Sequence, residues 1–447
     1  MSAGRIKTFV SVTMIAATIG FVVYADRRES RRSRERITPA TLLGGPRAPT
    51  TSREDLERTI AAMQARVDQH PADSGAAVLL ADALLRNARV TGNAALALRA
   101  ERAIASVLVD EPMDYNARRM LGAVYLSEHR FRAAIQEGER ARAQHPDDAW
   151  NYGIIGDGHL ELGEYDEAFA AFQRMLDLKP TAAAYARAAY ARELQGELAG
   201  ALENMRMSAN ATSPRDPESL AWHHAEVGDL LLQLNRVQDA AVEYGWANAA
   251  FPNHPFAIIG LGRVKEAAGD YAGALQIYAA EFQKRPTPDL AERIGDLHEA
   301  LGNHADADRA YALAEAGWRV DAPDPRSLAR FLADHDRKPD EALALARDAL
   351  TVRQDIYTED AFAWAAFKAG RIEDARPSVS RVLRTGTRDR RLLVHAAAIR
   401  NRAGDPAGAQ LLLNRVFESR TSLDPAVERT ARRVRAELDG VRRVAAR

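Results

Sequence analysis

The sequence predicts an all-α fold, a solenoid of about ten stacked helix–turn–helix units, and three observations carry that expectation. Alanine returns nine times in one place of a repeating unit, at Ala134, Ala168, Ala201, Ala240, Ala274, Ala307, Ala342, Ala375 and Ala409, at intervals of 33 to 39 residues. Companions travel with it: a glycine twelve residues earlier at Gly122, Gly156, Gly228, Gly262 and Gly295, and a proline twelve later at Pro146, Pro180, Pro252 and Pro286. Aromatics make up only 6 % of the chain, so helix propensity points the same way as the period. Units of this length cannot bury their apolar face alone and must stack on their neighbours, so one elongated domain is expected despite 447 residues.

The first segment differs in kind. Thr8 to Ala25 is an uncharged run preceded by Arg5 and Lys7 and ending in Val23-Tyr24-Ala25, at the lower edge of the length that crosses a hydrocarbon core. Residues 1–25 therefore read as a cleaved signal peptide or a retained single transmembrane anchor. Six arginines follow, Arg27, Arg28, Arg31, Arg32, Arg34 and Arg36, which favours the anchor over cleavage. Residues 26–52, with Pro39, Gly44, Gly45, Pro46 and Pro49, read as a basic linker.

Residues 53–440 form the solenoid. Shifting the frame back from Ala134 and Pro146 reaches Ala100 and Pro112, a degenerate first unit with a longer turn near Thr91-Gly92-Asn93. In the units that follow, small residues mark the seam where two helices cross closely. Aromatics four residues after the alanine, Phe172, Tyr244, Tyr278 and Tyr311, fill the gap, and breakers such as Leu162-Gly163-Glu164, Ala268-Gly269-Asp270 and Leu301-Gly302-Asn303 close the first helix. A larger loop falls at Ser213-Pro214-Arg215-Asp216-Pro217, and Arg330, Ala363 and Ala397 stand where the last units would have glycine. Residues 425–447, rich in arginine, read as a solvated capping helix that stops further stacking.

The combination resembles the tetratricopeptide repeat, most closely from Ile155-Gly156-Asp157 through Gly163-Glu164-Tyr165-Asp166-Glu167-Ala168-Phe169-Ala170-Ala171-Phe172 to Lys179-Pro180. That resemblance implies a right-handed superhelix with a concave groove that binds partners. A narrower likeness, over Ala168 to Ala209 and Asp355-Ile356-Tyr357-Thr358-Glu359-Asp360-Ala361-Phe362-Ala363-Trp364, is to bacterial envelope repeat proteins with an N-terminal export or anchor segment. It implies a membrane-anchored or secreted chain whose solenoid lies outside the cytoplasm, with the cytoplasmic face as the alternative.

Charge narrows the partners. Residues 1–25, 26–50 and 425–447 carry +2, +4 and +4, so with a chain total of −1 residues 51–424 hold −11. An acidic body argues against nucleic acid, whose phosphates need a basic face. The absence of cysteine excludes disulfides and thiolate chemistry.

In the resembling repeat, places 2, 5, 9 and 12 of each unit face the groove. Those places give Asn116, Arg119, Trp150, Asp157, Tyr190, Glu193, Trp222, Asp229, Phe256, Arg263, Glu292, Asp296, Glu299, Tyr357, Asp360, Trp364 and Phe367. Aromatics among carboxylates suit an extended peptide carrying basic and apolar side chains. Chaperone-tail clamps place lysine or asparagine at places 5 and 9, but Gly153, Asp157, Ala225 and Asp229 stand there, so a free carboxylate terminus is not expected. No phosphate loop, nucleophile elbow or zinc motif is present, and His298-Glu299 with His304 has the wrong spacing for zinc. The expectation is a non-enzymatic scaffold, without cofactor or metal, tethered through residues 8–25 and binding a protein or peptide. The alternatives are an envelope assembly factor holding a glycan or lipid-linked polymer, and a hydrolase in the degenerate units.

Overall fold

The computed structural model describes residues 52–320, 325–418 and 424–445. Among them lie twenty-two α-helices and no strand. Two single helices, α1 (Arg53–Gln69) and α22 (Pro425–Ala445), flank ten hairpins. These are α2 (Ser74–Thr91) with α3 (Ala95–Asp110), α4 (Tyr115–Ser127) with α5 (Phe131–Gln144), α6 (Ala149–Leu162) with α7 (Tyr165–Leu178), and α8 (Ala182–Leu194) with α9 (Leu198–Ala211). Next come α10 (Pro217–Gln233) with α11 (Val237–Ala250), α12 (Pro255–Ala267) with α13 (Tyr271–Lys284), and α14 (Pro288–Ala300) with α15 (His304–Val320). Last are α16 (Pro325–Asp334) with α17 (Pro339–Val352), α18 (Ile356–Lys368) with α19 (Ile372–Val382), and α20 (Arg390–Arg402) with α21 (Pro406–Glu418). The fold is the expected superhelical solenoid of ten tetratricopeptide-like hairpins.

Local chemistry sets the ends of each unit. First helices start on side-chain caps: Asp73, Asp114, Asp148, Thr181, Asp216, Asp355 and Asp389 accept from amides of the first turn. Pro217, Pro255 and Pro288 occupy the opening turn, where a missing amide proton costs nothing. Each hairpin turn contains a residue in the left-handed region, Gly92, His129, Gly163, Gly196, Asn235, Gly269, Gly302, Asp336, Gly370 and Gly404, and the α16–α17 turn holds a second, Lys338.

Packing explains the period. Ala100 and the nine repeating alanines are at most 1 % exposed, because each sits where the second helix meets its neighbours. Gly156, Gly228, Gly262 and Gly295 face the aromatic of their own unit, whereas Gly122 faces Ile154 of the next. A Cβ added at Gly156 would lie 2.4 Å from Phe172, and at Gly262 2.2 Å from Tyr278. The ring fills the space that the glycine leaves, and burying one such side chain contributes about 1.5–3 kcal/mol.

The superhelix also returns on itself. Gly163, at the α6–α7 turn, touches Gln354 before α18: the Gln354 amide donates to the Leu162 carbonyl at 3.2 Å. Beside it, the Ile356 amide donates to the Tyr165 hydroxyl at 2.8 Å and Arg353 meets Glu161 at 2.8 Å. The Arg384 guanidinium donates to both the Gly163 and Gln354 carbonyls. These partners are 191 and 192 residues apart, between five and six units of the repeat. Equivalent approaches join Gly92 to Thr287 and Gly196 to Gly386.

Two expectations need comment. The capping helix α22 is not simply solvated: Val427, Ala431, Val434 and Leu438 are buried in the core of the last units, while Arg429 reaches Asp296 at 3.6 Å. No helix among the described residues is long and apolar enough to cross a membrane. The apolar run Thr8–Ala25 and the linker to residue 51 lie outside the described residues.

Candidate functional site

Charged side chains of successive first helices are arranged as a ladder. Arg119 meets Asp148 at 3.0 Å, Arg187 grips Asp157 with two hydrogen bonds at 2.9 and 2.6 Å, and Arg263 meets Asp229 at 2.6 Å. Arg293 faces Glu266 at 3.2 Å, and Arg330 holds Glu292 with two bonds at 2.7 and 2.6 Å. In most rungs an arginine of one unit neutralises a carboxylate of the unit before. Tyrosine hydroxyls add a second donor, from Tyr244 to Asp229, Tyr278 to Glu266 and Tyr311 to Asp296.

Two adjoining cavities open inside this ladder. The smaller, of about 300 Å³, is bounded by Tyr165, Tyr190, Trp318, Arg326, Asp355 and Tyr357, among others. The larger, of about 650 Å³, includes Glu193, Arg263, Arg293, Arg390, Arg415 and Asp424. Tyr357 and Arg391 border both. Confinement among carboxylates matters here: burial, then Asp229 and Asp389, push Glu193 up to about 7. Burial, then Asp229 and Glu193, push Glu226 up to about 8.

The groove residues expected from the sequence divide into four groups, the last of them buried. Tyr190, Glu193, Arg263 and Tyr357 line the cavities. Arg119 lies over the Trp150 ring at 5.4 Å, Arg89 lies over Trp222 at 5.8 Å, and Asp157 and Asp229 are rungs of the ladder. Asn116 and Phe256 are exposed outside the cavities, and Glu299 pairs with His304 at 2.9 Å. Asp360 and Trp364 are not open to the groove. Each is 2 % exposed, because the Trp364 ring stacks on His395 at 4.0 Å and on Phe367 at 4.9 Å, while Asp360 faces His395 at 3.0 Å. An added correction concerns charge: the carboxylates were expected to attract a basic partner, yet arginines of the same chain already neutralise most of them.

Glu292 and Asp296 are also buried, and with His335 they bring three ligand-type atoms within 4.8 Å. Arg330 occupies both oxygens of Glu292, Tyr311 donates to Asp296, and the two His335 nitrogens lie 3.4 Å from Glu292 and 3.9 Å from Asp296. The group is a closed network of ion pairs. Burial pushes the Glu292 carboxyl up, but Arg330 and His335 outweigh it and hold the group below the usual range. Asp296 is pushed up to about 8 by burial and by Asp424.

Several lining residues were not named as groove residues from the sequence: Asp289, Trp318, Arg326, Arg330 and Arg391. Asp289 and Arg391 occupy place 2 of their units, so the same place rule finds them. Trp318, on the second helix α15, carries no such signal.

Residues 155–217 match the tetratricopeptide repeat family. No curated protein matches the sequence. Among solved structures, the human IFIT1 dimer with PPP-AAAA is 15 % identical, with 70 % of this chain and 73 % of that one covered at a TM-score of 0.48. Pseudomonas aeruginosa pilF is 20 % identical, covering 45 % and 90 % at a TM-score of 0.34. The Cut9 and Hcn1 hetero-tetramer of the APC/C is 14 % identical, covering 91 % and 98 % at 0.33. The chain is a repeat protein of tetratricopeptide-like hairpins, with the family match itself confined to residues 155–217.

Proposed function

We propose that this chain is a scaffold that holds an extended segment of a partner polypeptide inside its superhelix, while its N-terminal apolar run attaches it to a membrane. The observation that carries the reading is the pair of adjoining cavities, whose walls come from α6 to α10, α12, α14 to α16, α18 and α20 to α22. Helices so far apart in sequence converge there only because the solenoid returns on itself. Aromatic faces beside charged groups suit a polypeptide that alternates apolar and polar side chains. Anchoring through residues 8–25 would present the solenoid at an envelope surface, outside the cytoplasm.

A photo-crosslinking amino acid at Tyr190, inside the superhelix, tests the first part against the same group at Trp246, which is 41 % exposed outside the cavities. The expected result is a discrete crosslinked partner from Tyr190 and none from Trp246. Equal capture at both places removes the channel from the account. For the tether, membrane sedimentation of the full chain should be lost when residues 8–25 are deleted.

A further inference from the structure

Charges around the two cavities are satisfied unequally. Glu161 meets Arg353 at 2.8 Å, Glu418 meets Arg388 at 3.0 Å, and Glu266 accepts from Tyr278 and Arg293. Asp355 and Asp389 accept from the first-turn amides of α18 and α20, and Asp424 faces Arg293 at 4.0 Å. Glu193 accepts from Gln233 and, with its pKa near 7, is partly protonated at neutral pH. Burial also pushes Asp289 up, and Arg330 is the main charge opposing that shift.

The cations contrast with this. Arg391, which borders both cavities, and Arg415 in the larger one have no hydrogen-bond or ion-pair partner for their guanidinium among the described residues. Burial holds Arg390, beside them, below its ordinary value. On the wall of the same cavity the buried Trp318 indole N–H has no acceptor among the described residues, and Tyr190 and Tyr357 line that wall too. A donor left unpaired in a desolvated site costs on the order of 1–3 kcal/mol, and a guanidinium binds a carboxylate with paired, charge-assisted bonds. Arg391 and the unpaired Trp318 indole, on a wall shared with Tyr190 and Tyr357, form a receptor for an oxyanion.

Resting on the reading that the superhelix holds a polypeptide, we propose that the segment it takes is acidic, with an internal Asp or Glu side chain seated on Arg391 between Tyr357, Tyr190 and Trp318. A second carboxylate reaches Arg415 in the larger cavity. This site differs from a tail clamp in using place 2 of the last two units and a second-helix tryptophan, and in needing no chain terminus. A nucleic acid offers oxyanions too, but a body of net charge −11 repels phosphates along its length; a short acidic motif needs only the local cations.

The test is fluorescence anisotropy with the full chain in detergent micelles. Its probes are a fluorescein-labelled peptide alternating Glu with Leu, its Lys–Leu counterpart, and an oligo(dA) of similar length. The Glu–Leu peptide is expected to bind, more weakly as salt is raised. Arg391→Gln should lower that affinity about tenfold or more, the size of a lost charge-assisted bond, and Arg415→Gln by less, both without a change in thermal midpoint. Tighter binding of the Lys–Leu peptide, an Arg391→Gln protein that binds like the parent, or Arg391-dependent capture of oligo(dA) in preference to the peptide each overturns the proposal. No binding of the Glu–Leu peptide does so as well. If crosslinks at Tyr190 persist in any of these cases, the scaffold reading stands and only the acidic character of its partner is lost.

Discussion

Hairpins in the middle of the chain and hairpins near its C-terminal end reach the same geometry by different packing. From α6 to α15, Gly156, Gly228, Gly262 and Gly295 receive the rings of Phe172, Tyr244, Tyr278 and Tyr311. From α16 to α21 the glycine place holds Arg330, Ala363 and Ala397, and the aromatic place holds Ala346, Val379 and Leu413. Volume has moved from one helix of the seam to the other. The later first helices also share a buried polar spine, from Asp296 and Glu292 through His335, Arg330 and Asp334 to His395 and Asp360. One seam is steric and the other largely electrostatic, so the two regions should answer differently to the same perturbation.

The largest effect should come from the spine. Arg330→Met leaves the buried Glu292 carboxylate without its main partner, and breaking such a pair costs about 3–5 kcal/mol; chemical denaturation should show the loss, and a stability like the parent's would mean the spine contributes little. Next comes Gly262→Ala, which forces a methyl into the Tyr278 ring. Overpacking of this kind costs about 1–3 kcal/mol, and Tyr278→Leu in the same chain should recover part of it, because contacting sites are not additive. If the double variant is simply the sum of its parts, the ring and the glycine do not share one space.

Proton linkage acts on the first of these regions, on α8, α10 and α14. Asp296, pushed up to about 8 by burial and by Asp424, keeps in the folded state a proton that an unfolded Asp loses near pH 3.9. Its contribution to stability is complete below about pH 4 and disappears as pH rises through about 8. Glu193 and Glu226 act with the same sign, and Glu292, held below its usual range, acts with the opposite one. The melting temperature of Asp296→Asn should therefore fall less than the parent's when pH is raised from about 6 to about 9. Parallel curves would remove Asp296 from the linkage. The smallest effect should be that of Ala397→Gly, which writes the mid-chain glycine into a unit with no ring to fill it. It should destabilise by about 1 kcal/mol or less, whereas a gain in stability would show that glycine is preferred at this seam regardless of its partner.

Much of the architecture is legible in the sequence because it is local. The alanine period, the left-handed turn at Gly163 and the pairing of Gly262 with Tyr278 fall within one unit, so spacing reveals them. The ladder is less legible. Asp157 reads as a free carboxylate until Arg187, thirty residues later in sequence, is placed on the next first helix. Trp364 reads as a groove aromatic because place 9 faces inward in regular units, but His395 of the following unit covers it. The contacts of Gly163 with Gln354 depend on the pitch accumulated over several hairpins, which no local pattern encodes. Small changes in the angle between neighbours multiply along a solenoid.

Those contacts have a mechanical consequence. An open helical ribbon stretches like a slack spring, each hairpin tilting a little under a weak pull. Here the coil is close-wound: Arg384 bridges two carbonyls across adjacent turns, and the Ile356 amide is tied to Tyr165. Tension along the axis must first part these clasps, so extension should begin at a threshold force and then yield abruptly, with the elasticity of the whole coil set by a few residues in its loops.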